Sequence, residues 1–159
     1  MPSRPRRTAI SLALLAAVTL AACQPTDADE PALASDKVSV TTPEGTFTWN
    51  VELADTPQEK AQGLMFRRQM DRDAGMLFRF ERTEPVAMWM KNTFIPLDMI
   101  FAASDGTIER IHTDAVPESL DIISSGVPVR FVLELNAGEA RRTGLAPGQK
   151  LRHPWMDER

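Results

Sequence analysis

Charged and amide side chains embedded in apolar sequence are the residues of this chain that suggest chemistry. A charge inside an apolar strand is costly unless a partner neutralises it or a ligand contacts it. The polar set, which also includes one hydroxyl, comprises Arg67, Lys91, Asn92, Thr93, Asp98 and Glu134. One interpretation is a ligand-binding pocket in which Arg67 and Lys91 hold an anionic or polyhydroxy ligand and Trp89 stacks on it.

The same residues also suit two other roles. Pairing of Arg67 or Lys91 with Asp98 or Glu134 would form a structural ion-pair network that fixes strand register and the turn after Asn92, a residue type that tolerates positive φ. Alternatively, Asp98 and Glu134 would act as general acid and base in a hydrolase of cell-envelope polysaccharide. No catalytic motif flanks these acids, so the leading hypothesis assigns no catalytic residue.

Metal and cofactor chemistry have little support in the composition. The chain has one cysteine and two histidines, and the histidines, His112 and His153, lie far apart without clustered acids. Zinc sites need several such ligands at close spacing. We therefore expect no metal site and no cofactor.

The elements that must position the polar set are mostly short strands. Alternation over residues 47–53 predicts a strand with one buried face. Thr56, Pro57 and Glu59 form a capping-box sequence that predicts a short helix ending near Met65. Further strands are predicted at the apolar runs 76–80, 86–90, 97–103, 107–113 and 127–135.

Turn residues organise the second half of the chain. Asp105 and Gly106 predict a hairpin, and Asn136 with Glu139 predicts a second capping box for a helix at about 137–143, which Gly144 ends. A last short strand follows the turn at 147–148. In the strands, Leu97, Met99 and Phe101 are expected to share one face, as are Val129, Phe131, Leu133 and Leu135.

These patterns predict a mainly β (α+β) fold. We expect one domain over residues 37–155, built as a small, curled or partly closed, barrel-like mixed sheet with two short helices. A hydrophobic fraction of 43% is ordinary for a globular protein.

The first 36 residues predict export and lipidation. A basic start precedes an apolar run at 9–22 that is too short to span a bilayer but fits a secretory signal peptide over residues 1–22. Leu20, Ala21, Ala22 and Cys23 resemble the lipobox of bacterial lipoproteins, which implies cleavage before Cys23 and lipid on its sulfur. Residues 23–36 are acidic and predict a flexible tether.

Charge and the resemblance to lipoproteins limit the partners. Removal of residues 1–22, which contain three arginines and no acid, lowers the formal net charge from −4 to −7. An acidic protein is repelled by phosphate backbones, so we expect no nucleic-acid partner. Gln24 after the lipidated cysteine implies the periplasmic side of the outer membrane if the cell has two membranes.

Four segments of the domain resemble one bacterial and archaeal family. They lie at residues 63–67, 75–78, 89–98 and 132–134, and the most specific reads WMKNTFIPLD. Over about residues 40–152 the chain resembles domain of unknown function family 192. The resemblance implies a compact β-rich fold and frequent export, and brings no established reaction.

The leading hypothesis is an exported, membrane-anchored lipoprotein module without enzymatic activity. It would bind a small polar or anionic ligand, a glycan or an envelope protein while lipid on Cys23 holds it at the membrane. The alternatives are the polysaccharide hydrolase and a purely structural accessory subunit of an envelope complex.

Overall fold

The computed structural model describes residues 36–157, so the predicted signal peptide, Cys23 and the tether up to residue 35 lie outside the described residues. Seven strands and three helices follow one another along this part of the chain. They are β1 (Lys37–Thr42), β2 (Gly45–Ala54), α1 (Pro57–Gln62), β3 (Ala74–Met88), β4 (Leu97–Ala102), β5 (Ile108–Ala115), β6 (Ile123–Asn136), α2 (Glu139–Thr143), β7 (Leu151–Arg152) and α3 (Pro154–Asp157).

The strands form one mixed sheet in the order β5-β4-β6-β3-β2-β1-β7. Neighbouring strands run antiparallel except β2 and β3, which are parallel. The sheet curls into a half-barrel, and its two edges meet where Thr107 bridges Lys150 and Leu151 N donates to Gly106 O at 2.9 Å. The prediction of a mainly β, curled and partly closed mixed sheet is confirmed.

Two apolar clusters hold the sheet together. Every strand contributes to the first, which includes Trp49, Leu77 and Phe131. Side chains from all the strands of a curled sheet converge only on its concave face, so this cluster is the interior of the half-barrel. The second lies on the opposite face of the central strands, where connecting residues such as Leu64 and Met90 cover them.

The central strand β6 is buried on both faces, as strands in the middle of a covered sheet are. Phe131, Leu133 and Leu135 share the interior cluster as predicted, whereas Val129 belongs to the opposite one. Its assignment to the same face was wrong because the pairing with β3 shifts register between Arg79 and Glu84, which breaks the alternation. The shared face of Leu97, Met99 and Phe101 is confirmed.

Helix α1 forms as its capping box predicts. The Thr56 side chain accepts from Glu59 N at 3.2 Å, and the Glu59 carboxylate accepts from Thr56 N at 2.9 Å. The helix ends at Gln62 rather than near Met65. Gly63 adopts a φ of 48°, and an added Cβ there would lie 3.2 Å from the Phe78 ring.

The hairpin at Asp105 and Gly106, the last short strand and the Gly144 stop of α2 are confirmed. The capping box at Asn136 is wrong, because its amide instead donates to Met70 O and Asp71 O. Gly138 stands at the start of α2 without a side-chain cap.

The third helix, α3, was not predicted. It is four residues long, too short for any helical periodicity to show in the sequence.

The connection between the parallel strands β2 and β3 contributes to the pocket described below. Parallel neighbours need a crossover connection, and here it runs from residue 55 to 73, includes α1, and packs Leu64 and Met70 against the outer face of the sheet. Within residues 36–157 no helix is long and apolar enough to cross a bilayer.

Candidate functional site

A pocket of about 120 Å³ opens on the outer face of the sheet, between the crossover connection and β3. This volume holds several water molecules or a small ligand. The lining residues are Lys60, Ala61, Gln62, Gly63, Leu64, Met65, Phe78, Phe80, Ala87, Met88, Trp89, Thr93 and Glu134. Most of these side chains are apolar or aromatic, but polar atoms contribute the larger share of the pocket surface, so the pocket is mixed in character.

Glu134 is the carboxyl group of this pocket. It lies in the middle of β6, where its backbone neighbours are Met76 on β3 and Met99 on β4. The residue is only 4% exposed, and no described residue hydrogen-bonds to its carboxyl group. Neither neighbouring strand offers a charged or donor side chain at this level, so the carboxyl group faces the pocket without a protein partner.

Burial raises the pKa of Glu134 from its ordinary 4.5 to about 8. Removing a carboxylate from water without a compensating partner penalises the charged form, and the group holds its proton instead. At pH 7 the side chain is thus largely protonated. It can donate one hydrogen bond, or release its proton when a cationic partner enters.

Trp89 and Lys91 lie together at the strand end beside the pocket, as their alternation predicts. Trp89 lines the pocket and is 46% exposed, and the Lys91 ammonium lies 5.2 Å from the centre of its ring. This distance allows a cation–π contact. Lys91 itself is exposed and does not line the pocket.

Asn92 and Thr93 build the turn that follows. Asn92 has a φ of 55°, as expected for its turn, and its carbonyl accepts from Phe66 N at 2.8 Å. Thr93 is buried and lines the pocket, while its hydroxyl donates to Lys91 O at 3.3 Å. The turn thereby fastens the crossover connection to the end of β3.

Arg67 and Asp98 lie outside the pocket lining. Arg67 pairs with Glu52 at 2.5 Å. Fully buried Asp98 accepts from Asp114 N at 3.0 Å and from Ala140 N at 2.8 Å. The predicted pairing of Arg67 with Asp98 or Glu134 is therefore wrong: Arg67 pairs with Glu52, and backbone N–H groups satisfy Asp98.

Several lining residues were not among the predicted site residues. Lys60 stands at the rim, where its ammonium donates to Asp55 O at 2.7 Å and to Arg79 O at 3.0 Å. Gly63, Leu64 and Phe78 belong to the segments that carry the family resemblance, so the signal was present in the sequence. It could not be interpreted as a site without knowing that α1 folds against β3.

The fold and the pocket define a class of protein: a small half-barrel domain with an unpaired acid in a chamber on its outer face. The family model DUF192, described as "Uncharacterized ACR", matches residues 39–153, and the chain belongs to this family. No curated protein matches it. Among the described residues there is no cluster of three or more metal-binding side chains.

Two solved structures are similar to this chain. One, from Sinorhizobium meliloti 1021 and assigned provisionally as a transcription regulator, is 55% identical with a TM-score of 0.72 and covers 77% of this chain and 96% of its own. The other is a protein of unknown function from Novosphingobium aromaticivorans DSM 12444. It is 39% identical with a TM-score of 0.71 and covers 73% of this chain and 83% of its own.

Proposed function

We propose that this chain is an exported, lipid-anchored protein whose half-barrel domain binds a small polar ligand in the Glu134 pocket. A basic start, a short apolar run and a lipobox-like end at Cys23 support export and lipidation. The acidic stretch that follows has the composition of a tether. In a cell with two membranes the domain would face the periplasm from the outer membrane.

The observation that carries the binding function is the carboxyl group of Glu134, which lines the pocket and has no hydrogen-bond partner among the described residues. No side-chain oxygen or nitrogen of the described residues is both fully buried and without a partner, so the carboxyl group of Glu134 keeps contact with the space of the pocket. A residue that served stability alone would be better replaced by an apolar one of similar volume. The unfilled hydrogen-bonding capacity of Glu134 favours a ligand that supplies the missing partner.

This arrangement favours binding over the two alternatives. A carboxylate-pair hydrolase needs two acids facing the substrate, whereas both Asp98 oxygens accept backbone hydrogen bonds and Asp98 does not line the pocket. A purely structural network would require Glu134 to be paired within the fold. Glu134 finds no such partner in the part of the chain that the structure describes.

The relative from S. meliloti raises the question of nucleic-acid binding. A formal charge of −7 on the predicted mature chain opposes contact with phosphate backbones. We therefore propose no nucleic-acid partner for this chain.

Ligand screening of the full-length chain tests the pocket. A panel of small polar compounds is added and Tm is followed for the wild type, Glu134→Gln and the control Glu109→Gln, which removes an exposed acid on β5. A ligand at a hundred times its Kd stabilises the fold by about 2.7 kcal/mol. We expect at least one compound to shift the Tm of the wild type and of the control by the same amount. In Glu134→Gln we expect the same compound to give a Tm shift of a different size. A shift of equal size in all three proteins would contradict the pocket.

Mass spectrometry of the protein from its native cells tests the anchor. We expect an N-terminus at Cys23 that carries acyl chains, and an unmodified mass with loss of membrane association in Cys23→Ser. Residues 1–22 still attached to an unmodified thiol in the wild type would refute the anchor and leave the pocket untouched.

A further inference from the structure

The pocket combines aromatic walls with a single acid. Phe78, Phe80 and Trp89 all line it, and Glu134 is the acid among the residues that line it. Aromatic faces carry negative electrostatic potential and attract cations, most strongly when water is excluded. A small pocket that has three aromatic rings and one carboxyl group in its lining has the composition of a site for an organic cation.

From this combination, and resting on the proposed binding function, we infer that the ligand is a small organic ammonium ion whose charged nitrogen is held between Glu134 and the ring of Trp89. The carboxyl group has unfilled acceptor positions, and an ammonium ion supplies both N–H donors and the opposite charge. The small volume of the chamber favours a compact amine over a glycan chain.

Two lysines of the protein already show how ammonium groups behave at these rings. The Lys60 ammonium lies 5.9 Å from the centre of Phe80, and that of Lys91 lies 5.2 Å from the centre of Trp89. Lys60 is held by two backbone carbonyls. Lys91 is exposed, so it can swing away from the indole when a ligand arrives.

The charge balance of the site is simple. When the cation enters, Glu134 gives up its proton to solvent, and a neutral acid is replaced by an ion pair. The charged groups near the pocket are Lys60 on α1 and Lys91 in the turn after Trp89, while the neighbours of Glu134 on β3 and β4 are the uncharged Met76 and Met99. Binding of an ammonium ion should therefore release a proton near neutral pH.

Calorimetry with choline, ethanolamine and 3,3-dimethylbutan-1-ol, the uncharged isostere of choline, tests the charge requirement. We expect at least one of the two cations to bind the full-length wild type about tenfold or more tightly than the isostere, because only a cation is attracted by the Glu134 carboxylate and the indole ring. Glu134→Gln should reduce that preference to about one, while Glu109→Gln should keep it. Repeating the titration in buffers of different ionisation enthalpy measures the proton released.

The variant Lys91→Met distinguishes a cationic ligand from an anionic one. Because Lys91 repels a cation and competes for the indole, we expect its loss to tighten amine binding several-fold. An anion held by Lys91 would instead bind less tightly to the variant.

The outcomes also separate this inference from the pocket itself. Equal binding of the isostere and the two cations would contradict an ammonium ligand but not the pocket. Stronger binding of anions, weakened by Lys91→Met, would have the same meaning. Absence of binding by every compound in this set and in the broader polar panel would overturn both.

Discussion

Two buried glutamates of this small domain have the same exposure and opposite behaviour. Glu134 and Glu139 are each 4% exposed. The Glu139 carboxylate accepts from both Nε and Nη2 of Arg142, at 2.8 and 2.5 Å, and from the Trp49 indole at 3.3 Å. Glu134 has no hydrogen-bond partner among the described residues and lines a pocket together with aromatic, methionine and a few polar side chains.

Their pKa values move in opposite directions for this reason. The hydrogen bonds from Arg142 lower the pKa of Glu139, whereas burial raises that of Glu134 to about 8. The two acids differ in two respects: Glu134 lies deeper in the protein, so desolvation dominates, whereas Glu139 lies nearer the surface and its hydrogen-bond donors outweigh a smaller desolvation cost. The carboxylate of Glu139 near α2 is hydrogen-bonded within the protein, whereas the carboxyl group of Glu134 in the pocket has no hydrogen-bond partner among the described residues.

The pH dependence of stability should show this contrast. Between pH 4.5 and 8 folded Glu134 keeps a proton that the unfolded chain releases, so its contribution to stability falls as the pH rises. Folded Glu139 loses its proton more readily than the unfolded chain. Its contribution is present above pH 4.5 and is lost as the pH falls through its lowered pKa.

The largest effect is expected from Glu134→Gln. Between pH 4.5 and 8 the free energy of unfolding of the wild type should fall by about 5 kcal/mol more than that of the variant, because the variant has no proton to lose. Denaturant unfolding at a series of pH values measures the difference. Parallel curves for the two proteins would show that Glu134 is charged in the folded state and would remove the contrast with Glu139.

Asp98→Asn should have the next largest effect, a loss of about 3 kcal/mol at pH 7. The amide of asparagine would place a donor against one of two buried backbone N–H groups, those of Asp114 and Ala140. Asp114→Asn is the matched control, since it breaks only an exposed pair with Arg141 and asparagine tolerates the φ of 55°. Equal losses in both variants would contradict a special role for Asp98.

Glu139→Gln should cost about 2 kcal/mol at pH 7, because it weakens a charged hydrogen-bond network that includes Arg142. The loss should shrink as the pH falls, opposite in sign to the effect at Glu134. Denaturant unfolding at pH 7 and at pH 3 measures it. A loss of constant size at both pH values would mean that Glu139 acts through shape and not through charge.

The smallest effect is expected from Lys91→Met, at most about 1 kcal/mol, since an exposed cation–π contact contributes little. Thermal unfolding without ligand checks this. Failure of the variant to fold would show that Lys91 has a structural role, and would contradict its description as an exposed residue beside the pocket.

The local elements of this protein follow from neighbouring residues. The α1 capping box at Thr56 and the hairpin at Asp105 and Gly106 form as predicted, because each depends on groups three or fewer residues apart. The alternation in β4 also predicts its shared face. Alternation predicted the wrong face for Val129, because β6 and β3 shift register near this residue and such a shift depends on the partner strand.

The sequence by itself determined which acids stand inside apolar strands, and therefore that Asp98 and Glu134 needed an explanation. The tertiary structure decided which of the two has partners. The N–H group of Ala140 that meets Asp98 lies 42 residues away, and the indole that meets Glu139 lies 90 residues away. The donors that contact a buried acid come from elements that are distant in sequence and meet it only when the chain folds. The local sequence therefore cannot show which buried acid lacks donors.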